Sequence, residues 1–207
     1  IVNHEDYIPE EYLPTFSSHT IELNLHRIPG LAEHFLYFND DVYLAKESLP
    51  EHFFVNGLPC DSAILGVIKN TNPENHMPYI MLNMMALINM HYSQREVLTR
   101  HFTKWFHPRY GKYLLNNLYL SPWSSFTGFR NFHNCTGFLK STFDEVWETF
   151  PEILDHTCRN RFRMREDVNQ YLFRYWQLVK GDFVPVAPHS AYLTIGSQDT
   201  SLATKYF

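Results

Sequence analysis

The chain has 207 residues, of which 44% are hydrophobic, 19% charged and 16% aromatic, a composition that supports a real core and excludes disorder. Seventeen lysines and arginines against 22 acids leave a net charge of −5, which excludes the basic footprint of a nucleic-acid binder. Twelve histidines outnumber that net charge, so the surface changes sign as they protonate near pH ~6.

Three cysteines, Cys60, Cys135 and Cys158, stand at no metal-like spacing and form no CxxC pair. They give neither a disulfide framework nor a zinc ribbon, and a reducing compartment is the expectation. The longest apolar stretch, Tyr79 to Met90, is interrupted by Asn83 and Asn89 and is too short to span a bilayer. No signal peptide opens the chain, because Asn3, His4, Glu5 and Asp6 come at once.

In chain order, Ile1 and Val2 read as the end of a strand, and Pro9 to Phe16 as irregular. Ser17 and Ser18 offer an N-cap to a helix with Ile21, Leu25 and Ile28 on one face, ended by Pro29 and Gly30. Glu22 and His26, four apart, sit one turn above each other on it. Phe35 to Phe38 is a continuous apolar run, which predicts a parallel-type strand buried on both faces. Val42 to Leu44 could extend it, and 48–65 is loop with room for a further strand.

The period turns helical from about Asn75, with a buried helix over Tyr79 to Met90. Ser93 with Glu96 is a capping-box pair, opening a helix through Val97, Leu98, Phe102, Trp105 and Phe106. A short helix over Gly111 to Leu120, a loop over 121–132 and a helix from Ser141 through Trp147 follow. Met164 to Lys180 predicts a long helix stopped by Gly181, and the last twenty-odd residues read as strand and loop. The order strand, helix, strand, helix-rich middle, strand predicts an α/β fold with a helical insertion.

Chemistry concentrates at FLYFNDD. An apolar strand running into Asn39, Asp40 and Asp41 puts two acids at the carboxyl end of a sheet strand, where α/β proteins bind ligands. These are hard oxygen ligands suited to Mg²⁺ or Mn²⁺ on a diphosphate, although a solvated Asx turn reads the same way. Arg159, Arg161, Arg163 and Arg165 alternate, which predicts an extended segment with all four on one face, suited to phosphate or to an exposed edge. The Glu22–His26 pair reads first as a surface pair, and His133 as a lone loop histidine. The NHED run at Asn3 to Asp6 has the Asn-His-Glu/Asp pattern of two-metal phosphoesterases, without the preceding glycine.

Taken together, the segments resemble the Stealth family of sugar-phosphate transferases. LPTFSS, IE, LHRI.GL and F.Y.NDDV within residues 1–44 are similar to that family's second conserved region. HNCTGFLKSTFDEVWETFPEIL followed by RFRMREDVNQYLFRYWQL, from His133 to Leu178, resembles its third, with His133-Asn134-Cys135 where the family often has His-Met-Pro or His-Leu-Pro. The resemblance implies a catalytic-core fragment over 1–207, with an acidic strand–helix–strand part (1–74), a helical insertion (75–130) and a closing part carrying the histidine loop, arginine segment and long helix (131–207). A partial nucleotide-sugar-transferase-like sheet is expected, with a first family region before Ile1 and a fourth after Phe207.

The implied activity is transfer of hexose-1-phosphate from a nucleotide diphosphosugar, a UDP-sugar by expectation, to a glycan hydroxyl. It belongs to capsule or exopolysaccharide synthesis at the cytoplasmic face of the bacterial membrane. The resemblance implies Asp40 and Asp41 as ligands of Mg²⁺ or Mn²⁺, Asn39 and Arg163 as substrate and phosphate contacts, and His133, Asp41 and Glu22 as catalytic residues. His133 is suited to take the attacking hydroxyl's proton, with Glu22 orienting it, binding acceptor or acting as the base. Three rivals remain at this point: a metal-dependent glycosyltransferase, a metal phosphoesterase, and a non-catalytic carbohydrate-binding module with an aromatic platform.

Overall fold

The computed structural model describes residues 1–44 and 47–188. In chain order it contains α1 (Ser18–Leu23), β1 (His34–Tyr37), β2 (Phe54–Val55), β3 (Leu58–Asp61), α2 (Met77–His91), α3 (Gln94–Arg100), α4 (Phe102–Trp105), α5 (Leu114–Leu120), β4 (Thr136–Leu139), α6 (Lys140–Thr149), α7 (Pro151–Arg159), α8 (Tyr171–Lys180) and β5 (Val184–Pro185), with short 3-10 turns between them. The mixture of helix and small sheets is compatible with the α/β expectation. Most of the expected terminal strand and loop lies outside the described residues.

The strands pair differently from the parallel expectation. β1 runs antiparallel to β4, with Phe35 opposite Phe138 and Tyr37 opposite Thr136. β2 and β3 form an antiparallel hairpin, and β3 pairs parallel with β5 at Cys60–Val184. β1 is only half-buried, and Phe38 beyond it is exposed. Phe35 packs on Phe138 and Phe143, with ring centroids 5.8 and 5.5 Å apart. A short apolar run carries no information on strand direction, so the partner decided it. The hairpin turns at Asn56 and Gly57, at φ 52° and 76°, the left-handed pair that a two-residue hairpin turn requires. A side chain at Gly137 on β4 would meet Phe54 and Pro59 at 3.2 Å, so that glycine lets the hairpin lie against β4.

Other boundaries shift for local reasons. Ile1 and Val2 are exposed and outside any strand; the chain enters a 3-10 turn at His4–Asp6, where the Asp6 carboxylate accepts the Asn3 amide at 2.7 Å. That carboxylate closes its own turn, and among the described residues no group of three or more His, Cys, Asp or Glu side chains is placed to hold a metal. The helix from Ser93 breaks at His101, where ψ is 33°. Gly181 packs against the His101 ring there: a side chain at Gly181 would lie 2.5 Å from it, and its φ of 79° forms the left-handed end of α8.

α8 begins at Tyr171 rather than Met164, because the buried Asp167 carboxylate holds the preceding turns. It accepts from the Met164 amide and from Asn160 Nδ2, both at 2.8 Å, and lies 3.0 Å from His19 Nδ1. The alternating arginines therefore do not share a strand face. Arg159 ends α7 and bonds Asp155, Arg163 reaches α1, and Arg165 donates to the Pro73 carbonyl.

One apolar core runs through the described residues, from Leu23 through Met84, Ile88 and Trp105 to Phe138, Phe143, Phe173 and Phe183. Phe143 and Phe173 stack at 3.6 Å between α6 and α8. Arg174 on α8 is buried and forms a bidentate pair with Asp61 on β3, both bonds at 2.8 Å, and also donates to Asn131 Oδ1 at 2.8 Å. A buried charge of this kind needs its partner in place, so the pair fixes α8, β3 and the chain leading to His133 relative to one another. The three cysteines are free thiols, and no helix among the described residues is long and apolar enough to cross a membrane.

Candidate functional site

The site begins inside the protein and opens outward. α1 is short, and Glu22 near its end is only 7% exposed. Glu22 Oε1 accepts from the Tyr37 hydroxyl at 2.9 Å, whereas Oε2 is buried with no completed hydrogen bond. Burial pushes the Glu22 carboxyl above the ordinary carboxylate range, opposed by the Tyr37 hydroxyl, His19, Ser18 and the Gln170 backbone. Tyr37 closes β1, and burial together with Glu22 raises its own pKa.

From Tyr37 the contacts continue along the strand end. The Tyr37 hydroxyl also makes a short hydrogen bond to Asn39 Oδ1. These two residues are two apart, so an extended chain puts them on one side. Asn39 Nδ2 lies 3.3 and 3.4 Å from the two ring nitrogens of His133, and His133 Nε2 lies 2.9 and 3.0 Å from the Asp41 carboxylate oxygens. A tyrosine has one hydroxyl proton. The Tyr37 proton is therefore shared between Glu22 Oε1 and Asn39 Oδ1, while Asn39 Nδ2 faces the His133 ring. Five side chains thus connect a buried acid on α1 to an exposed His–Asp pair.

The fold places the remaining sequence candidates around this chain. Arg163 Nη2 donates to Ser18 Oγ at 2.7 Å, one turn before Glu22 on α1. Asp40 is exposed beside Asp41, and its backbone carbonyl accepts from the Tyr43 hydroxyl at 3.1 Å. Asp40 and Asp41 are two exposed carboxylates consecutive in the chain, the number with which a hard divalent cation is held together with substrate phosphates, while among the described residues no third His, Cys, Asp or Glu completes a metal group with them. Both Asp41 oxygens face His133, yet a carboxylate has lone pairs for a histidine and a cation together.

His26 separates from Glu22. The helix ends at Leu23, and the next residues tighten into a 3-10 turn that buries His26 against Phe143 and Trp147 at 5.8 and 6.0 Å. Burial, with Arg27 and Lys140 adding positive charge, lowers its pKa to about 4, so it is a neutral packing residue at neutral pH.

Sequence reasoning missed Tyr37, Ser18 and the Asn131–Arg174–Asp61 anchor. A signal existed for Tyr37: within FLYF it is the residue with a polar tip, on the same side as Asn39. Ser18 reads in the sequence only as a helix cap and nothing local marks Asp61; their partners lie 145 and 113 residues away.

Residues 1–60 match the family model for Stealth protein CR2, conserved region 2. The chain is 42% identical to the capsular polysaccharide phosphotransferase WcwK of Streptococcus pneumoniae over 184 residues, covering 89% of this chain and 54% of that protein. It is 41% identical to the exopolysaccharide phosphotransferase cps2G of Lactiplantibacillus plantarum, covering 91% and 55%. It is 39% identical to the receptor polysaccharide phosphotransferase WefC of Streptococcus gordonii, covering 88% and 54%. The chain spans about half the length of the curated relatives it matches. With conserved region 2 in its first sixty residues and such relatives along most of its length, the chain belongs to the Stealth family.

Proposed function

We propose that this chain serves a sugar-1-phosphate transferase of capsule or exopolysaccharide synthesis. The donor is a nucleotide diphosphosugar, taken as a UDP-sugar, and the acceptor is a hydroxyl of a glycan. The small sheets are read as part of a nucleotide-sugar-transferase-like fold. The observation that carries the reading is the continuous contact from Glu22 through Tyr37 and Asn39 to the His133–Asp41 pair, with Arg163 bound to the same helix. The names of the relatives support phosphotransfer on a polysaccharide.

In this reading the acceptor hydroxyl attacks the sugar-bearing phosphorus, the bond to the bridging oxygen breaks, and nucleotide monophosphate leaves. His133 takes the hydroxyl proton, and Asp41 holds the ring and stabilises the imidazolium formed. Arg163 binds phosphoryl oxygens as a planar cation. Glu22, Tyr37 and Asn39 hold the histidine in place from behind. Asp40 and Asp41 would hold Mg²⁺ or Mn²⁺, which when bound neutralises diphosphate charge.

The test is ³¹P NMR of the intact protein with UDP-sugar, Mg²⁺ and an oligosaccharide acceptor. A phosphodiester resonance with nucleotide monophosphate supports the reading. A glycoside with nucleotide diphosphate makes the protein a glycosyltransferase, and glycan binding without any turnover makes it a binding module.

A further inference from the structure

We infer that Phe16 and Phe162 form a shelf for a pyranose ring of the acceptor glycan, and this inference rests on the transferase reading above. The two rings stack at 5.4 Å with 14° between their planes, yet remain 68% and 64% exposed. At that separation parallel rings are offset, which leaves ring surface open to a ligand. Large side chains left open together beside a candidate site mark a contact surface rather than scattered surface apolarity.

The position of the shelf is fixed by three cross-links between two loops. The Phe16 amide donates to the Arg161 carbonyl at 2.9 Å, Phe16 stacks on Phe162, and Arg163 donates to Ser18. Phe162 directly precedes Arg163, the proposed phosphate-binding arginine, and Phe16 stands two residues before that arginine's partner Ser18, so the rings and the guanidinium are held on the same two segments. In a sugar-1-phosphate transfer, the transferred phosphorus carries the donor sugar and meets the acceptor sugar, so ring surface on the segments of the phosphate contact faces sugars. The base is separated from that phosphorus by a ribose and a second phosphate. The apolar face of a pyranose, with its axial C–H bonds, suits an open aromatic ring. An open rim suits the acceptor, because a polymer must lie across the surface, whereas a donor sugar is carried in on its diphosphate.

The experiment uses methyl β-lactoside as the glycan probe. Its dissociation constant is measured by saturation-transfer NMR on the wild type, on the Phe16→Leu/Phe162→Leu double variant and on Phe162→Tyr. Leucine keeps the apolarity and removes the flat ring; both sites are exposed, so folding is checked by circular dichroism. The expected result is binding weakened about tenfold in the leucine variant and retained in the tyrosine variant. Equal binding by the leucine variant, or no binding by the wild type, overturns the shelf. So does weaker UMP binding with sugar binding intact, or a change of oligomeric mass, which would assign the rings to a base or to a second protein surface. A parallel turnover assay separates the two claims. Lactoside binding that depends on both rings without phosphodiester formation keeps the shelf and removes the transferase reading. Phosphodiester formation with an acceptor KM indifferent to both rings does the reverse.

Discussion

The Tyr37 hydroxyl lies 2.9 Å from Glu22 Oε1, which makes the last residue of β1 the link between a buried acid and the exposed Asn39–Asp41 segment. Removing that hydroxyl separates the two halves of the site without changing the shape of the core. Tyr37→Phe leaves Glu22 Oε1 without its donor, so stability falls by about 1–3 kcal/mol. kcat falls about 10–100-fold because the residues behind His133 no longer hold it, while the donor KM changes little. Thermal unfolding and steady-state kinetics on the same variant check both statements; full activity would show that the contact is only structural.

Glu22 gives a pH signature. Its pKa is raised by burial, so the folded protein keeps a proton that the unfolded chain releases. That contribution to stability is complete below the ordinary carboxylate value of 4.5 and is lost as pH rises through the folded pKa. Glu22→Gln keeps the shape and cannot ionise. Its melting temperature should therefore gain on the wild type as pH climbs out of the carboxylate range, while kcat drops. Parallel melting curves across that range would show that Glu22 does not titrate upward.

His26 behaves oppositely. Its folded pKa, about 4, lies below the ordinary 6.5, so the unfolded chain binds the proton more readily. Stability from this site is present above 6.5 and is lost as pH falls toward about 4. His26→Leu should flatten the acid limb between those values and leave turnover near wild type. An imidazole NMR titration of His26 near its ordinary value would contradict its burial as a neutral ring.

The carboxylates at the strand end should make activity depend on a divalent ion. EDTA is expected to abolish turnover and Mg²⁺ or Mn²⁺ to restore it. Asp40→Asn should raise the metal concentration needed for half-activity about 10–100-fold. Persistence of turnover in EDTA would remove the metal role.

What the sequence made legible was local. Helices over α2 and α8, the stop at Gly181 and the acidic strand end all follow from periodicity and punctuation within a dozen residues. The direction of β1 did not, because its partner β4 lies about a hundred residues on and an apolar tetrapeptide pairs either way. The turns of 164–170 were hidden because Asp167 is held by His19, far upstream. The Asn56-Gly57 pair is itself a hairpin signal, within the segment whose loop-and-strand composition left the strand unplaced. At the site, Asn39, Asp40 and Asp41 follow from the apolar strand running into acids, and the roles of Glu22, His133 and Arg163 from motif resemblance; the mutual contacts required the fold, and Tyr37 reads as one more apolar residue in its run.

The central claim is that the Asp41 carboxylate and the His133 ring, 2.9 Å apart, act as one catalytic unit. A double-mutant cycle on kcat with Asp41→Asn and His133→Ala tests it directly. If the pair works as a unit, each single variant loses roughly 10²–10⁴-fold and the double variant loses little more than the worse single. Losses that multiply, so that the double variant falls by the product of the two, would mean that Asp41 and His133 act independently and would contradict the account.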